Sequence, residues 1–246
     1  MKVAVVGKGG SGKTTTSAVL ARELASRGRD VLALDCDSNA NLALSLGLGI
    51  EVAEDLVSVR ERIDAGDDEH VDDVAELLER FGRPGPHGMH FAVAQRIERP
   101  GTGCPCCGMS PQQLLNELEA ADRVVIADLE AGIGTLTRVE EGAIDVAVLV
   151  VEPTARSIDV GERARELAAA KGVRRVVLVA NRVTGDDDLA LITQRIPGLE
   201  TIVVPDDPVV TRADREGRSP GEVDADAPAV LALSSLADQL GEPVAT

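Results

Sequence analysis

Lys2 to Thr15 reads KVAVVGKGGSGKTT, an apolar run that breaks into a glycine-rich loop and then into a lysine and two threonines. The run Lys2 to Val6 is short, continuous and Val-rich, the form of a strand covered on both faces. Beyond the loop, Thr14 to Ser26 places Val19, Leu20, Leu24 and Ala25 at helical spacing before Gly28, so the order is strand, loop, helix. Gly7 to Thr14 satisfies the P-loop pattern G-x-x-x-x-G-K-[ST] in the context that this motif requires. The residue types give the chemistry. Backbone N–H groups from Gly9, Gly10, Ser11, Gly12, Lys13, Thr14 and Thr15 are placed to wrap phosphate oxygens at a helix N-terminus. Lys13 is placed to reach the β- and γ-phosphates, and the Thr14 hydroxyl to ligate Mg²⁺, so ATP with Mg²⁺ is the expected ligand. The glycines do not fall as G-x-G-x-x-G, which disfavours a dinucleotide-binding Rossmann loop.

Outward from this unit the same grammar repeats. Val31 to Leu34 closes on Asp35, Val124 to Ala127 closes on Asp128, and further runs lie at Val146 to Val151, Val176 to Ala180 and Ile202 to Val204. Helical patterns such as Ile158 to Ala170 and Leu189 to Ile196 separate them. The alternation predicts an α/β fold with one open, doubly wound, mostly parallel sheet, in a single P-loop domain over residues 1–246. Two stretches interrupt it. Residues 51–81 are acidic and helical in pattern, with Val71, Val74, Leu77 and Leu78 as one apolar face, and read as an insertion. The next stretch is rich in Gly and Pro, with a strand expected at Met89 to Ala94 and a cysteine-bearing loop around 96–108. Ser110-Pro111-Gln112-Gln113 is a helix start, and Ala229 to Leu240 a mildly amphipathic helix without a basic face.

Composition narrows the function classes. The 246 residues carry 42 acidic against 25 basic side chains, a formal charge of −17 that repels phosphate backbones and anionic lipid. With two Phe and no Trp or Tyr, no base-stacking platform is available, so no nucleic-acid partner is expected. Charges interrupt each apolar run well short of the ~20 residues of a membrane span, and no signal-peptide pattern opens the chain, which predicts a soluble, cytoplasmic protein without a membrane partner. Three of the four cysteines, Cys104, Cys106 and Cys107, crowd into four positions, where mutual disulfides would be strained; this points to thiol chemistry in a reducing compartment.

Lys8 makes the loop read K-G-G-S-G-K-T-T, and here the sequence resembles the deviant Walker A ATPases. This SIMIBI-like group contains the MinD and ParA proteins, the nitrogenase iron protein and metal-insertion ATPases. The resemblance implies that Lys8 enters the nucleotide site of a second subunit, as an arginine finger does in trans, and hence an ATP-sandwiched homodimer. Asp35-Cys36-Asp37-Ser38-Asn39 resembles the first switch of the group. Asp37 is the candidate to orient or deprotonate the attacking water, with Asp35 as the alternative. Asp128 has the form of the Walker B carboxylate on Mg²⁺, and Glu130-Ala131-Gly132-Ile133 follows as a second switch. Asn181, Pro205 and Asp206 match adenine-binding positions of the group.

The segment Gly103-Cys104-Pro105-Cys106-Cys107-Gly108, with Asp128 to Ile133 and Val151-Glu152-Pro153-Thr154, is similar to the CooC-type ATPases that mature nickel-containing carbon monoxide dehydrogenase. The resemblance implies that Cys104 and Cys106 of both subunits hold one metal on the dimer axis. By ligand type, four thiolates suit Ni²⁺ and Zn²⁺ equally. Cys107 departs from the pattern and leaves open which two thiols ligate. His70, His87 and His90 fall in no metal-ligand spacing. The expected function is an ATP-driven metallochaperone that delivers nickel to a client such as carbon monoxide dehydrogenase. The rivals are a positioning ATPase of the MinD or ParA type and an iron–sulfur carrier.

Overall fold

A computed structural model describes residues 1–37, 41–52, 82–94, 111–118, 120 and 122–241. The expected helical insertion (51–81) and the cysteine loop, with Cys104, Cys106 and Cys107, lie almost wholly outside the described residues, as do residues 38–40 of the segment expected to be a first switch.

In chain order the strands are β1 (Lys2–Gly7), β2 (Val31–Cys36), β3 (Arg83–Pro84), β4 (His90–Val93), β5 (Val124–Leu129), β6 (Val146–Val151), β7 (Arg175–Val183) and β8 (Glu200–Pro205). The helices are α1 (Lys13–Ser26), α2 (Leu42–Ser45), α3 (Pro111–Glu117), α4 (Gly134–Arg138), α5 (Ala155–Ala170), α6 (Asp186–Arg195), α7 (Pro208–Glu216), α8 (Pro220–Val223) and α9 (Pro228–Gly241). One sheet takes the order β3-β4-β2-β5-β1-β6-β7-β8. Its ladders are parallel, apart from the short antiparallel β3–β4 pair.

Side-chain alternation sorts the core into two layers. Val3 and Val5 of β1 join Val31, Ile126, Val148 and Val177 under α1, α2 and α9. Ala4 and Val6 join Leu32, Ala127, Leu149 and Leu178 under α3, α4, α5 and α6. Every residue of β2, β5 and β6 is buried, which is why these strands read as unbroken apolar runs rather than as alternating ones. Helices on both faces are the doubly wound arrangement expected from the βαβ alternation. On the second face α5 approaches β6 closely at Gly161, where a Cβ would stand 2.6 Å from Val151 Cγ2 and 2.7 Å from Ile196 Cδ1. No helix among the described residues is long and apolar enough to cross a membrane.

One strand departs from its expected end. The apolar run Val176 to Ala180 stops at a polar Asn181, yet β7 continues to Val183 through a register shift against β8. Arg182 sits in the bulge with φ 57°, a left-handed conformation unusual for a side chain of its size. At this end of β7 Asn181 meets the loop after β1 and Arg182 meets Glu152 beyond β6, with the consequences described below.

Candidate active site

The loop from Gly7 to Lys13 turns across the carboxyl end of β1 into α1. Its first turn closes through the Ser11 N–H donating to the Lys8 carbonyl (3.1 Å), and the helix starts with the Thr16 N–H on the Gly12 carbonyl (2.9 Å). Gly12 caps the helix with φ 96°, and a Cβ there would overlap the Asn181 amide nitrogen, so both conformation and space require glycine. Asn181 Nδ2 donates to the Ser11 carbonyl at 2.7 Å. The residue expected at the adenine is thus placed against the backbone of the loop itself. Lys13 is 6% exposed, and its Nζ donates to the Lys8 carbonyl at 3.4 Å. Burial pulls its pKa down, against the opposing charges of Asp128 and Asp37. Gly9 and Gly10 are exposed, while Thr14 and Thr15 lie half-buried in the first turn of α1.

Beside the loop, β2 and β5 bring two carboxylates into register, Asp35 opposite Asp128. Asp35 is fully buried and accepts the N–H of Asp37 on one oxygen (3.0 Å) and that of Leu42 on the other (2.9 Å), so it ties the end of β2 to the start of α2. Asp128 accepts the Ser17 hydroxyl at 3.2 Å and also the hydroxyl of Thr14. Burial pushes Asp35 up to about 7, with the Asp128 charge adding to it, and pushes Asp128 up to about 6 against Thr14, Lys13 and Ser17. Asp37 is half-buried just beyond β2, and its charge is felt at both Lys13 and Asp128. Gly132, in the segment expected to be a second switch, donates its N–H to the Gly7 carbonyl at 2.9 Å, tying that loop to the root of the P-loop.

A second group stands where β6 and β7 end. Glu152, 7% exposed, accepts from Arg182 on Oε1, and its Oε2 lies 3.8 Å from Lys8 Nζ, which also donates to the Gly9 carbonyl at 3.1 Å. Its own N–H donates to Ser157 Oγ at 3.0 Å. At the end of β8, Pro205 leads into Asp206, whose N–H donates to the Val183 carbonyl at 3.2 Å. Asp206 lines a cavity of about 590 Å³ with Asp207, Pro208, Arg212 and Arg215. Asp207 caps α7 through the Val209 N–H (2.9 Å) and reaches the Ala229 N–H (3.1 Å).

Lys8, Lys13, Asp37, Asp128 and Asn181 therefore converge on one end of the sheet, while Asp206 stands further along it. Three participants were not singled out by sequence reasoning for this purpose, and two of them carry a signal that could have found them. Ser17 lies one helical turn beyond Lys13, on the face of α1 that returns to Asp128. Glu152 ends an apolar strand as Asp128 does. Arg182 has no such signal, because nothing in its neighbours announces the bulge. His87 and His90 are exposed, and among the described residues no group of three or more His, Cys, Asp or Glu is placed to hold a metal ion.

Residues 2–220 match the model of the CobQ/CobB/MinD/ParA nucleotide binding domain. The chain belongs to this MinD/ParA family. An uncharacterised ATP-binding protein of Methanocaldococcus jannaschii is 31% identical over 89% of this chain and 90% of that protein. The carbon monoxide dehydrogenase accessory protein CooC of Rhodospirillum rubrum is 30% identical over 89% of each chain. Among solved structures, the septum site-determining protein MinD of Pyrococcus horikoshii, complexed with Mg-ADP, superposes with a TM-score of 0.66. It covers 97% of this chain and 95% of its own, and at 20% identity that likeness shows the fold alone. This MinD/ParA-family chain is an ATP-binding P-loop ATPase.

Proposed function

We propose that this ATPase works as a nucleotide-sandwiched homodimer in the cytoplasm, holds Ni²⁺ or Zn²⁺ on cysteines of both subunits, and delivers nickel to an apo-metalloenzyme such as carbon monoxide dehydrogenase. The observation that carries the reading is the likeness to CooC along nearly the full length of both chains, joined to Cys104-Pro105-Cys106 in this sequence. Net charge −17 argues against a DNA- or anionic-membrane-tracking role of the MinD or ParA kind.

In this reading the backbone of Gly9 to Thr15 cradles the phosphates and Lys13 neutralises them. Asp37 orients or deprotonates the attacking water, because Asp35 is committed on both oxygens to backbone N–H groups. The Thr14 hydroxyl and the Asp128 carboxylate are hard oxygen donors that suit Mg²⁺, and they would hold it; the ion supplies positive charge to the β- and γ-phosphate oxygens. Asn181, Pro205 and Asp206 border the base, and Lys8 serves the partner's phosphates. Cys104 and Cys106 of each subunit give four thiolates, which two-fold symmetry makes a closed site; Cys107 is a neighbouring thiol.

Metal analysis with a visible spectrum after anaerobic purification tests the cargo. One colourless Ni or Zn per dimer, lost in Cys104→Ser/Cys106→Ser with nucleotide binding kept, is the expected result. Iron with broad charge-transfer absorption would replace the chaperone by an iron–sulfur carrier. Light scattering with a non-hydrolysable ATP analogue tests the dimer: Lys8→Ala should bind nucleotide yet stay monomeric, and a variant that dimerises normally contradicts the trans role.

A further inference from the structure

We propose that Glu152 is a positioning residue that parks Lys8 on its own subunit, and that Arg182 sets how easily the lysine is released. The inference rests on the reading of Lys8 as a group delivered to a second subunit. Its basis is the geometry at the ends of β6 and β7. Lys8 Nζ stands 3.8 Å from Glu152 Oε2 and donates to the Gly9 carbonyl at 3.1 Å, so the ammonium is folded back over its own loop. Glu152 cannot follow it outward. Its side chain is only 10% exposed, its backbone N–H is fixed on Ser157 Oγ, and it lies at the base of α5.

Withdrawing a cation from a buried carboxylate is ordinarily prohibitive, since it leaves an uncompensated charge. Here it does not, because Arg182 holds the other carboxylate oxygen. That arginine is brought to Glu152 by the bulge, in a left-handed conformation that the surrounding sheet must hold against its intrinsic preference. The neighbouring Asn181 meanwhile pins the Ser11 carbonyl, so two consecutive residues of β7 grip the P-loop, one directly and one through Glu152. Lys8 retains 35% side-chain exposure, which leaves it a path outward. The arrangement is a latch: one fixed anion with two cations, of which one stays and one can leave.

The two substitutions that test it act in opposite directions, which a merely structural role would not produce. In Glu152→Gln the hold on Lys8 is lost. Sub-stoichiometric acylation with an N-hydroxysuccinimide ester, read by peptide mass spectrometry on the full-length protein, should label Lys8 about five-fold faster, because an amine held in an ion pair reacts more slowly than a free one. Two latches open per dimer, so the protein concentration for half-maximal dimerisation with an ATP analogue should fall by up to about twenty-five-fold. In Arg182→Gln Lys8 becomes the sole cation on Glu152, so labelling should slow and dimerisation should need more protein. Glu152→Asp withdraws the carboxylate by one methylene and should fall between wild type and Glu152→Gln; thermal melts establish that each variant is folded. Unchanged Lys8 labelling across the variants, or shifts of the same sign in Glu152→Gln and Arg182→Gln, overturns the latch. Opposite labelling shifts with no change in dimerisation would show a latch that does not regulate assembly and overturn the proposal in that part. Lys8→Ala separates the two readings, since normal dimerisation of that variant rejects the trans role while the labelling result still decides the latch.

Discussion

At the carboxyl ends of β2 and β5 two carboxylates, Asp35 and Asp128, are buried in register with each other, and Lys13 offsets the charge of Asp128; at the end of β6 one carboxylate, Glu152, is met by Lys8 and Arg182. The first group is short of positive charge, and burial raises both of its acids. The second is oversupplied. A charge deficit lined with oxygen donors is what a divalent cation with a polyphosphate completes, whereas a surplus cation is free to be moved. Two stretches with the same sequence grammar, an apolar strand closing on an acid, thus do different work because of how many cations the fold brings to each.

The largest expected effect removes the cation of the deficient group. Lys13→Ala should lower ATP turnover by about a thousand-fold or more and weaken nucleotide binding, since the phosphates lose their nearest counterion. Steady-state hydrolysis together with calorimetric binding measures both, and unchanged turnover would break the assignment of this group as the reaction centre. Asp37→Asn should act on the same group more selectively. Binding is kept while turnover falls by about a hundred-fold, because shape is preserved and the charge or base is lost. Full activity in Asp37→Asn would return the role to Asp35 or to water alone.

The deficient group was largely legible in the sequence and the oversupplied one was not. Lys13, Thr14 and Asp128 fall in a loop motif and at a strand end whose chemistry is local, so spacing alone places them. That both oxygens of Asp35 are taken up by the N–H groups of Asp37 and Leu42 needed coordinates. Glu152 looked like one more strand end, and its partners lie at residues 8 and 182, far apart in the chain. Arg182 was beyond reach, because a bulge at a non-glycine residue leaves no trace in hydrophobic periodicity. The same limit hid the bond from Asn181 Nδ2 to the Ser11 carbonyl.

Proton linkage sharpens the contrast at intermediate size. An acid whose folded pKa stands above its ordinary 3.8 binds its proton more tightly in the native chain, so its stabilisation is present below about pH 4 and is lost as pH rises through the folded value, about 7 for Asp35 and about 6 for Asp128. Nucleotide-free protein should therefore lose stability between pH 4 and 7, with each acid contributing a slope of up to about 1.4 kcal/mol per pH unit. Asp35→Asn leaves one titrating acid of the two, and denaturant midpoints against pH should flatten accordingly. A slope equal to that of wild type would place the source elsewhere.

The smallest effect comes from two buried serines, one in each group. Ser17 donates to Asp128 at 3.2 Å, a bond that holds the carboxylate's pKa down. Ser17→Ala should therefore raise that pKa further, and its cost, about 1 kcal/mol, should be fully expressed where Asp128 is ionised and shrink as pH falls through about 6. Ser157 instead accepts the Glu152 backbone N–H at 3.0 Å, and an amide does not titrate in this range. Ser157→Ala should cost about the same amount, because a buried donor is orphaned, but equally at pH 5 and pH 8. Denaturant melts of both variants at the two pH values measure the difference. A pH-independent loss in Ser17→Ala would mean that Asp128 is not the ionising partner of that hydroxyl, and the charge deficit assigned to the first group would then rest on Asp35 alone.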